Sequence, residues 1–362
     1  MPAVTRDQIM SALAAVRDPN LDQDLVRAGA VRDVTIDGGV GITLELGYPA
    51  AGIHAQLIEA ATRAVAALPG AGSVRVRIET RIVARAVQQG IKPLRNIRNT
   101  IAVASGKGGV GKSTTATNLA LALHAEGAKV GVLDADIYGP SQPRMLGCHE
   151  KPDSPDGKTI DPNRSYGIQS MSIGYLVDEE TPMIWRGPMV TSALEQLLND
   201  TNWDDLDYLV IDLPPGTGDI QLTLCQKIPV SGAIIVTTPQ DIALLDARKG
   251  LRMFEKVNVP VLGIVENMST HVCSNCGHEE HIFGAGGGGR MAAQYGVDLL
   301  GSLPLDIRIR EGVDEGRPTV AVEPDSPIAA AYRAIARRAA AKLSLRAKDY
   351  SSKFPKITVE NA

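Results

Sequence analysis

The spacing of apolar and polar positions changes near residue 100, and the change predicts two parts built differently. In the first part the apolar positions come in short pieces with mixed periods. Thr5 with Gln8 reads as a capping box, which opens a helix over Asp7 to Val16. Val31 to Ile36 follows as a strand, and Asp37-Gly38-Gly39 is a hairpin turn signal. Val40, Ile42, Leu44 and Leu46 occupy every second position, as in a strand with one buried face. Ile53 to Leu68 reads as a helix. Val74, Val76 and Ile78 then alternate with Arg75, Arg77 and Glu79 as another half-buried strand. The order α-β-β-α-β predicts a small α+β domain over residues 1–83.

Residues 84–99 break the pattern. Gly90, Pro93 and the scattered Lys92, Arg95 and Arg98 predict an exposed linker. From Thr100 the rhythm becomes strand, turn, helix, repeated. Apolar strands are expected at Ile101–Ala104, Val130–Leu133, Tyr208–Ile211, Ala233–Val236, Val261–Val265 and Leu299–Leu303. Short continuous apolar runs suit strands covered on both faces. The prediction is an α/β fold: a doubly wound, mainly parallel sheet over 100–345, with ligands at the carboxyl ends of its strands. Near the end, Ser326-Pro327 reads as N-cap plus first-turn proline. Ile328, Tyr332, Ile335, Ala339 and Leu343 then mark a closing helix packed on the sheet, ahead of a loosely ordered tail over 346–362.

Composition narrows the function classes. The chain has 362 residues, 44% hydrophobic and 22% charged, with a formal net charge of -4. No global basic field draws it to nucleic acid. No apolar run approaches a membrane span, and the N-terminus lacks the apolar core of a signal peptide, so a cytoplasmic protein is expected. Four cysteines in a reducing compartment leave metal or redox roles open.

The chemistry concentrates at residues 105–113, SGKGGVGKS. From Gly106 the stretch fits the phosphate-loop pattern, between the strand Ile101–Ala104 and a helix expected over Thr114–Glu126. Gly106, Gly108, Gly109, Val110 and Gly111 let backbone N–H groups converge on phosphate oxygens. Thr114 opens the helix, whose N-terminus adds its positive dipole end. Lys112 is expected between the β- and γ-phosphates, and the Ser113 hydroxyl on Mg²⁺. Asp134 and Asp136 end one apolar strand and Asp212 another. Carboxylates there can hold Mg²⁺ or orient water. Pro214 to Asp219 reads as a switch segment that senses the γ-phosphate.

The loop holds a second lysine, Lys107. With it, KGGVGKS resembles the deviant phosphate loop of the MinD/ParA/nitrogenase-iron-protein class of P-loop ATPases. Within that class DADIYGPS, WRGP (185–188), DLPPGTGDIQLTL (212–224), TTPQDIAL (237–244), ENMS (266–269) and CSNCG (273–277) resemble the Mrp/ApbC family of iron–sulfur cluster carriers. The first domain resembles the MIP18-type module that often precedes this ATPase. The resemblance implies ATP hydrolysis, with Lys107 reaching across a homodimer to the partner's phosphates. It places Ser113 and Asp134 at magnesium, Asp136 on the attacking water and Asp212 as the switch carboxylate. It assigns Asn267 to the adenine, with Pro304 to Asp306 lining the base. For Asn267 and Asp306 ordinary turn chemistry is the other reading.

HVCSNCGHEEH (271–281) places two cysteines, Cys273 and Cys276, with two residues between them. A [4Fe-4S] cluster needs four thiolates, so a symmetric dimer is required to complete it. Such a cluster is exposed and labile, as suits a carrier that passes it from scaffold proteins to apo-proteins. His278 and His281 offer a second reading, a Cys₂His₂ zinc site within one chain. A MinD/ParA-like spatial regulator acting on a membrane or DNA is a third. Cys148 and Cys225 have no paired spacing. Many MIP18-type modules carry a cysteine before their second helix. ELGYPAAGIHAQ (45–56) has none, so the first domain is expected to dock or bind a partner, with His54 a weak substitute.

Overall fold

The computed structural model describes residues 4–177 and 187–349. Trp185 and Arg186 of the WRGP stretch, and residues 350–362 of the expected tail, lie outside the described residues. In the first part the Thr5 hydroxyl accepts from the Gln8 backbone, and Gln8 Oε1 accepts from Thr5 N at 2.9 Å. This box opens the helix Arg6–Leu13. The helix stops before Val16 because Arg17–Asp18 pairs with Gln23–Asp24, a hairpin that no periodicity announces. Val31–Ile36 runs antiparallel to Val40–Leu46, and Val74–Thr80 lies parallel on its other side. The helix His54–Ala66 makes the parallel crossover and buries Leu57, Ala61 and Val65.

Among the described residues, eight strands form the large sheet. Their spatial order is Leu299–Ser302, Val261–Glu266, Gly232–Thr237, Ile97–Ala104, Leu206–Asp212, Val130–Asp134, Ile168–Ser172 and Asn163–Ser165. Only the last pair is antiparallel. Six of these strands are visible as apolar runs. The last two are not: Asn163–Ser165 has no buried position, and in Ile168–Ser172 three of the buried residues are polar and paired. Ser170 Oγ lies 2.7 Å from Tyr175 Oη, Ser172 Oγ donates to Asp134 at 3.0 Å, and Gln169 Nε2 donates to Asp204 O at 3.1 Å. The strand Ile97–Ala104 is central. The chain leaves it through the helix Lys112–Ala125 and skips one strand position to reach Val130–Asp134. That skip leaves a crevice at the strands' carboxyl ends, where phosphate-binding folds hold their ligands.

The closing helix Pro327–Ser344 buries Ile328, Tyr332, Ile335, Ala339 and Leu343 against the sheet and the helix Lys112–Ala125. Its apolar stripe is spent inside the protein, so it is no membrane anchor. No helix among the described residues is long and apolar enough to cross a membrane.

The expectation of an exposed linker over 84–99 is corrected in part: Gly90, Lys92 and Arg95 are exposed, but other positions are not. Arg85 and Gln88 are buried, and Ile97 to Asn99 belong to the central strand. Gln88 Nε2 donates to Cys225 O at 2.7 Å and Ile228 O at 3.1 Å, while its Oε1 accepts from Val230 N at 2.7 Å. Polar residues tolerate burial when each polar atom finds a partner, as here. The start of the expected tail is docked on the same stretch. Ala86 N donates to Ala347 O at 2.9 Å, and Asp349 N to Ala84 O at 3.0 Å.

The small sheet and the large one share a continuous core, and Glu126 pins them together. Its carboxylate is almost fully buried at the end of the helix Lys112–Ala125. It accepts from Gly52 N at 2.7 Å and pairs with Arg337 of the closing helix. Ala51 N also donates to Glu126 O at 3.3 Å. The stretch that lacks the module's cysteine is thus the stretch that docks. Glu126→Ala leaves Arg337 as a buried unpaired cation and should cost about 3 kcal/mol. Urea denaturation reads this as a lower midpoint. An unchanged midpoint contradicts the pin.

Candidate functional site

The phosphate loop is shaped by two close approaches that only glycine permits. A Cβ on Gly106 would lie 2.2 Å from the Asp246 carbonyl carbon, so the helix Asp241–Lys256 sits directly on the loop. Gly111 has φ +81°, and a Cβ there would meet Asn267 Nδ2 at 2.2 Å. Asn267 is buried, and its Nδ2 donates to Val110 O at 2.9 Å. Thus the strand Val261–Glu266 braces the loop from one side. Val110 is buried, whereas Gly108 and Gly109 are exposed at the loop's tip.

Adjacent strand ends bring the carboxylates together. Asp212 is in register with Val103 on one neighbour and Asp134 on the other. Both Asp134 and Asp212 are fully buried. Lys112 supplies the countercharge: its Nζ donates to Asp212 Oδ1, lies 3.0 Å from Ser113 Oγ and 3.9 Å from Asp136 Oδ2. Asp134 is held by four donors. Asp136 N reaches its Oδ1 at 3.2 Å; Ser141 N at 2.9 Å, Gln142 N at 3.0 Å and Ser172 Oγ at 3.0 Å reach its Oδ2. Burial, and then the Asp212 carboxylate beside it, still push the Asp134 carboxyl up to about 7. Burial also raises Asp136, while Lys112 pulls it down.

Sequence reasoning missed Gln142 and Ser172. Gln142 has no exposure, and its Nε2 donates to Asp212 Oδ2 at 3.0 Å. The only sequence signal is its place in GPSQP, eight residues beyond Asp134. Ser172 lies in a strand that has no apolar signature.

Thr114, Asn267, Pro304 and Asp306 surround one groove of about 290 Å³ beside the loop. Met145, Met268, Leu305 and Ile309 give it apolar walls. Asp306 is also turn chemistry, since it caps the helix Ile307–Asp314 by accepting from Arg308 N at 2.9 Å. The Arg308 guanidinium holds its carboxyl below the usual range. Lys107 is partly exposed, and among the described residues no carboxylate lies within ion-pair distance of it.

Cys273 and Cys276 sit in the turn between the short strands His271–Val272 and Glu279–Glu280. Cys273 N donates to His278 O at 2.9 Å, and Gly277 N to Cys273 O at 2.8 Å. Cys276 is exposed and Cys273 partly so. Backbone N–H groups of Cys276 and Asn275 favour the Cys273 thiolate and lower its pKa. His281 Nδ1 is 2.8 Å from Ser269 O, and His278 lies nearest Glu280. Among the described residues no three His, Cys, Asp or Glu side chains are grouped to hold a metal. Cys225 is buried, and burial pushes its thiol up to about 12.

Residues 96–340 match the ParA family described as NUBPL iron-transfer P-loop NTPase, and residues 6–78 match a family described as iron-sulfur cluster assembly protein. The chain is similar to the iron-sulfur cluster carrier protein of Escherichia coli K12, 51% identical over 344 residues, 94% of this chain and 93% of that protein. The iron-sulfur cluster carrier protein of Pseudomonas fragi is 60% identical over 275 residues, 75% of this chain and 96% of that protein. A solved nucleotide-binding protein from Archaeoglobus fulgidus, in complex with ADP and with cobalt found, is 37% identical with a TM-score of 0.56. It covers 65% of this chain and 91% of its own.

The ion pair at the centre of the site is open to test without any ligand. Lys112→Met strips the countercharge from two buried carboxylates and should lower stability by about 3 kcal/mol. The urea midpoint of the nucleotide-free protein reads it. An unshifted midpoint would show that the amine is not engaged with Asp212.

Proposed function

The chain belongs to the NUBPL iron-transfer P-loop NTPase family, and from that premise we propose that it is a cytoplasmic ATPase that carries a [4Fe-4S] cluster as cargo. In this reading the cluster is taken from scaffold proteins, held between two copies of the chain and released to apo iron–sulfur proteins. The observation that carries it is the exposed Cys273–Cys276 turn. It follows six positions after Asn267, the residue that braces the phosphate loop. Two thiolates at a surface bind half of a four-thiolate cluster, and a two-fold axis supplies the other half. Cargo held there is reachable by an acceptor.

The nucleotide half follows from the site. Lys112 Nζ donates to Asp212 Oδ1. Phosphate oxygens offer it a stronger partner, so binding draws the amine off Asp212 and onto the β- and γ-phosphates. The base lies in the groove between Asn267 and Pro304–Asp306. The oxygen donors present, the Ser113 hydroxyl and the buried Asp134 carboxylate, fit Mg²⁺ and would hold it there. The ion would neutralise charge on the transferring phosphoryl group. Asp136, partly exposed beside Lys112, orients the attacking water. Lys107, with no carboxylate partner among the described residues, extends to the phosphates of the second subunit and adds charge stabilisation there. Asp212, released by Lys112, starts the switch segment Pro214 to Asp219. That segment couples the phosphate state to the dimer's geometry and so to the exposure of the cargo.

Anaerobic reconstitution with iron and sulfide should give a visible cluster absorption in the wild type and none in Cys273→Ser or Cys276→Ser. The loaded protein should activate an apo-aconitase. A wild type without cluster, or cysteine variants that keep it, sinks the carrier reading. Lys107→Ala should still bind ADP yet lose hydrolysis by about a hundredfold or more. Normal turnover by that variant removes the cross-dimer role.

A further inference from the structure

We infer that Gln142 is the positioning residue that holds Asp212 in place once Lys112 has moved to the phosphates. This rests on the ATPase reading above. Among the described residues the two oxygens of Asp212 have two side-chain donors: Lys112 on Oδ1, and Gln142 Nε2 on Oδ2 at 3.0 Å. When the lysine leaves, Gln142 is the remaining one. Asp212 is fully buried, with the fully buried Asp134 in register on the next strand and Asp136 close to Lys112. A carboxylate in that position, without a donor, turns away from its neighbour or takes up a proton.

The amide of Gln142 has one possible orientation. Its nitrogen end faces Asp212 Oδ2 and, at 3.3 Å, Ser113 O. Both are acceptors only, so the NH₂ group must point there. Its oxygen end then meets the Thr117 hydroxyl at 2.8 Å. Thr117 sits on the helix Lys112–Ala125, one turn beyond Ser113. The Gln142 main chain is fixed separately, by N–H donation to Asp134 Oδ2 at 3.0 Å. One side chain therefore joins three elements: the loop after Asp134, the phosphate-loop helix and the strand that ends in Asp212. Movement of the helix on nucleotide binding reaches Asp212 through this amide as well as through Lys112.

Gln142→Met keeps the volume and removes the amide. Steady-state hydrolysis by the full chain should show kcat reduced by about ten- to a hundredfold, the usual range for one hydrogen bond to a charged group. KM for ATP and affinity for ADP should stay within about threefold, because the Gln142 side chain is fully buried and its amide is taken up by Asp212, Ser113 O and Thr117. Thr117→Val frees the oxygen end and should lower kcat less. Adding it to Gln142→Met should lower kcat no further, since both act through one amide. Equal losses in kcat and ADP affinity, or additive losses in the double variant, would mean general disruption and overturn the proposal. So would a Gln142→Met protein that turns over ATP within twofold of wild type. A wild type that does not hydrolyse ATP overturns the ATPase reading itself, and this inference with it.

Discussion

One ammonium group set among three carboxylates is the constraint on which this structure depends. Lys112 faces Asp212, Asp136 and, through them, Asp134, and two of those acids have no solvent exposure. Burying such charges is costly unless each has partners. The protein meets that cost with geometry. Parallel strands in register bring the acids to one level, the loop returns its lysine over them, and the following turn contributes backbone N–H groups to Asp134. The same charge balance makes the site receptive. A polyphosphate reaching the loop would compete for the lysine and leave the acids in need of cations.

Much of this was legible in the sequence, and the reason is local. A phosphate loop needs its glycines and lysine at fixed spacing within one turn, so Gly106 to Ser113 declares itself. Thr5 and Gln8 are three residues apart, and their reciprocal bonds form as a capping box must. Apolar runs announced six strands because those strands are covered on both faces. What stayed hidden acts over distance. Glu126 reads as a surface charge at a helix end, yet its partner Arg337 is 211 residues away. Gln88 lies in a stretch with every mark of a linker and is buried by bonds to residues about 140 positions on. Ser170 and Ser172 line a buried strand with hydroxyls, so periodicity had nothing to count.

The cysteine turn shows the opposite economy. It is a short hairpin at the rim, with no core of its own, and its thiols are open to solvent. The nucleotide loop and the cysteine turn are connected through Asn267, which holds the loop and then leads into the hairpin. The residue that braces the phosphate loop and the two cysteines of the turn thus lie on one continuous piece of chain. The closing helix covers the sheet, as its apolar stripe announced.

The phosphate-loop helix has two ends with different neighbours. One end carries Lys112 and Ser113; Glu126, just past the other, grips the small N-terminal domain at Gly52, in the turn before the helix His54–Ala66. Fourteen residues of helix form a rod of about 21 Å. A tilt of about 10° at the loop end sweeps its far end through roughly 4 Å, by the same geometry. The rod acts as a pointer whose scale is on the opposite side of the molecule. The contact at Gly52 would therefore register any tilt made at the loop end, a full helix-length away.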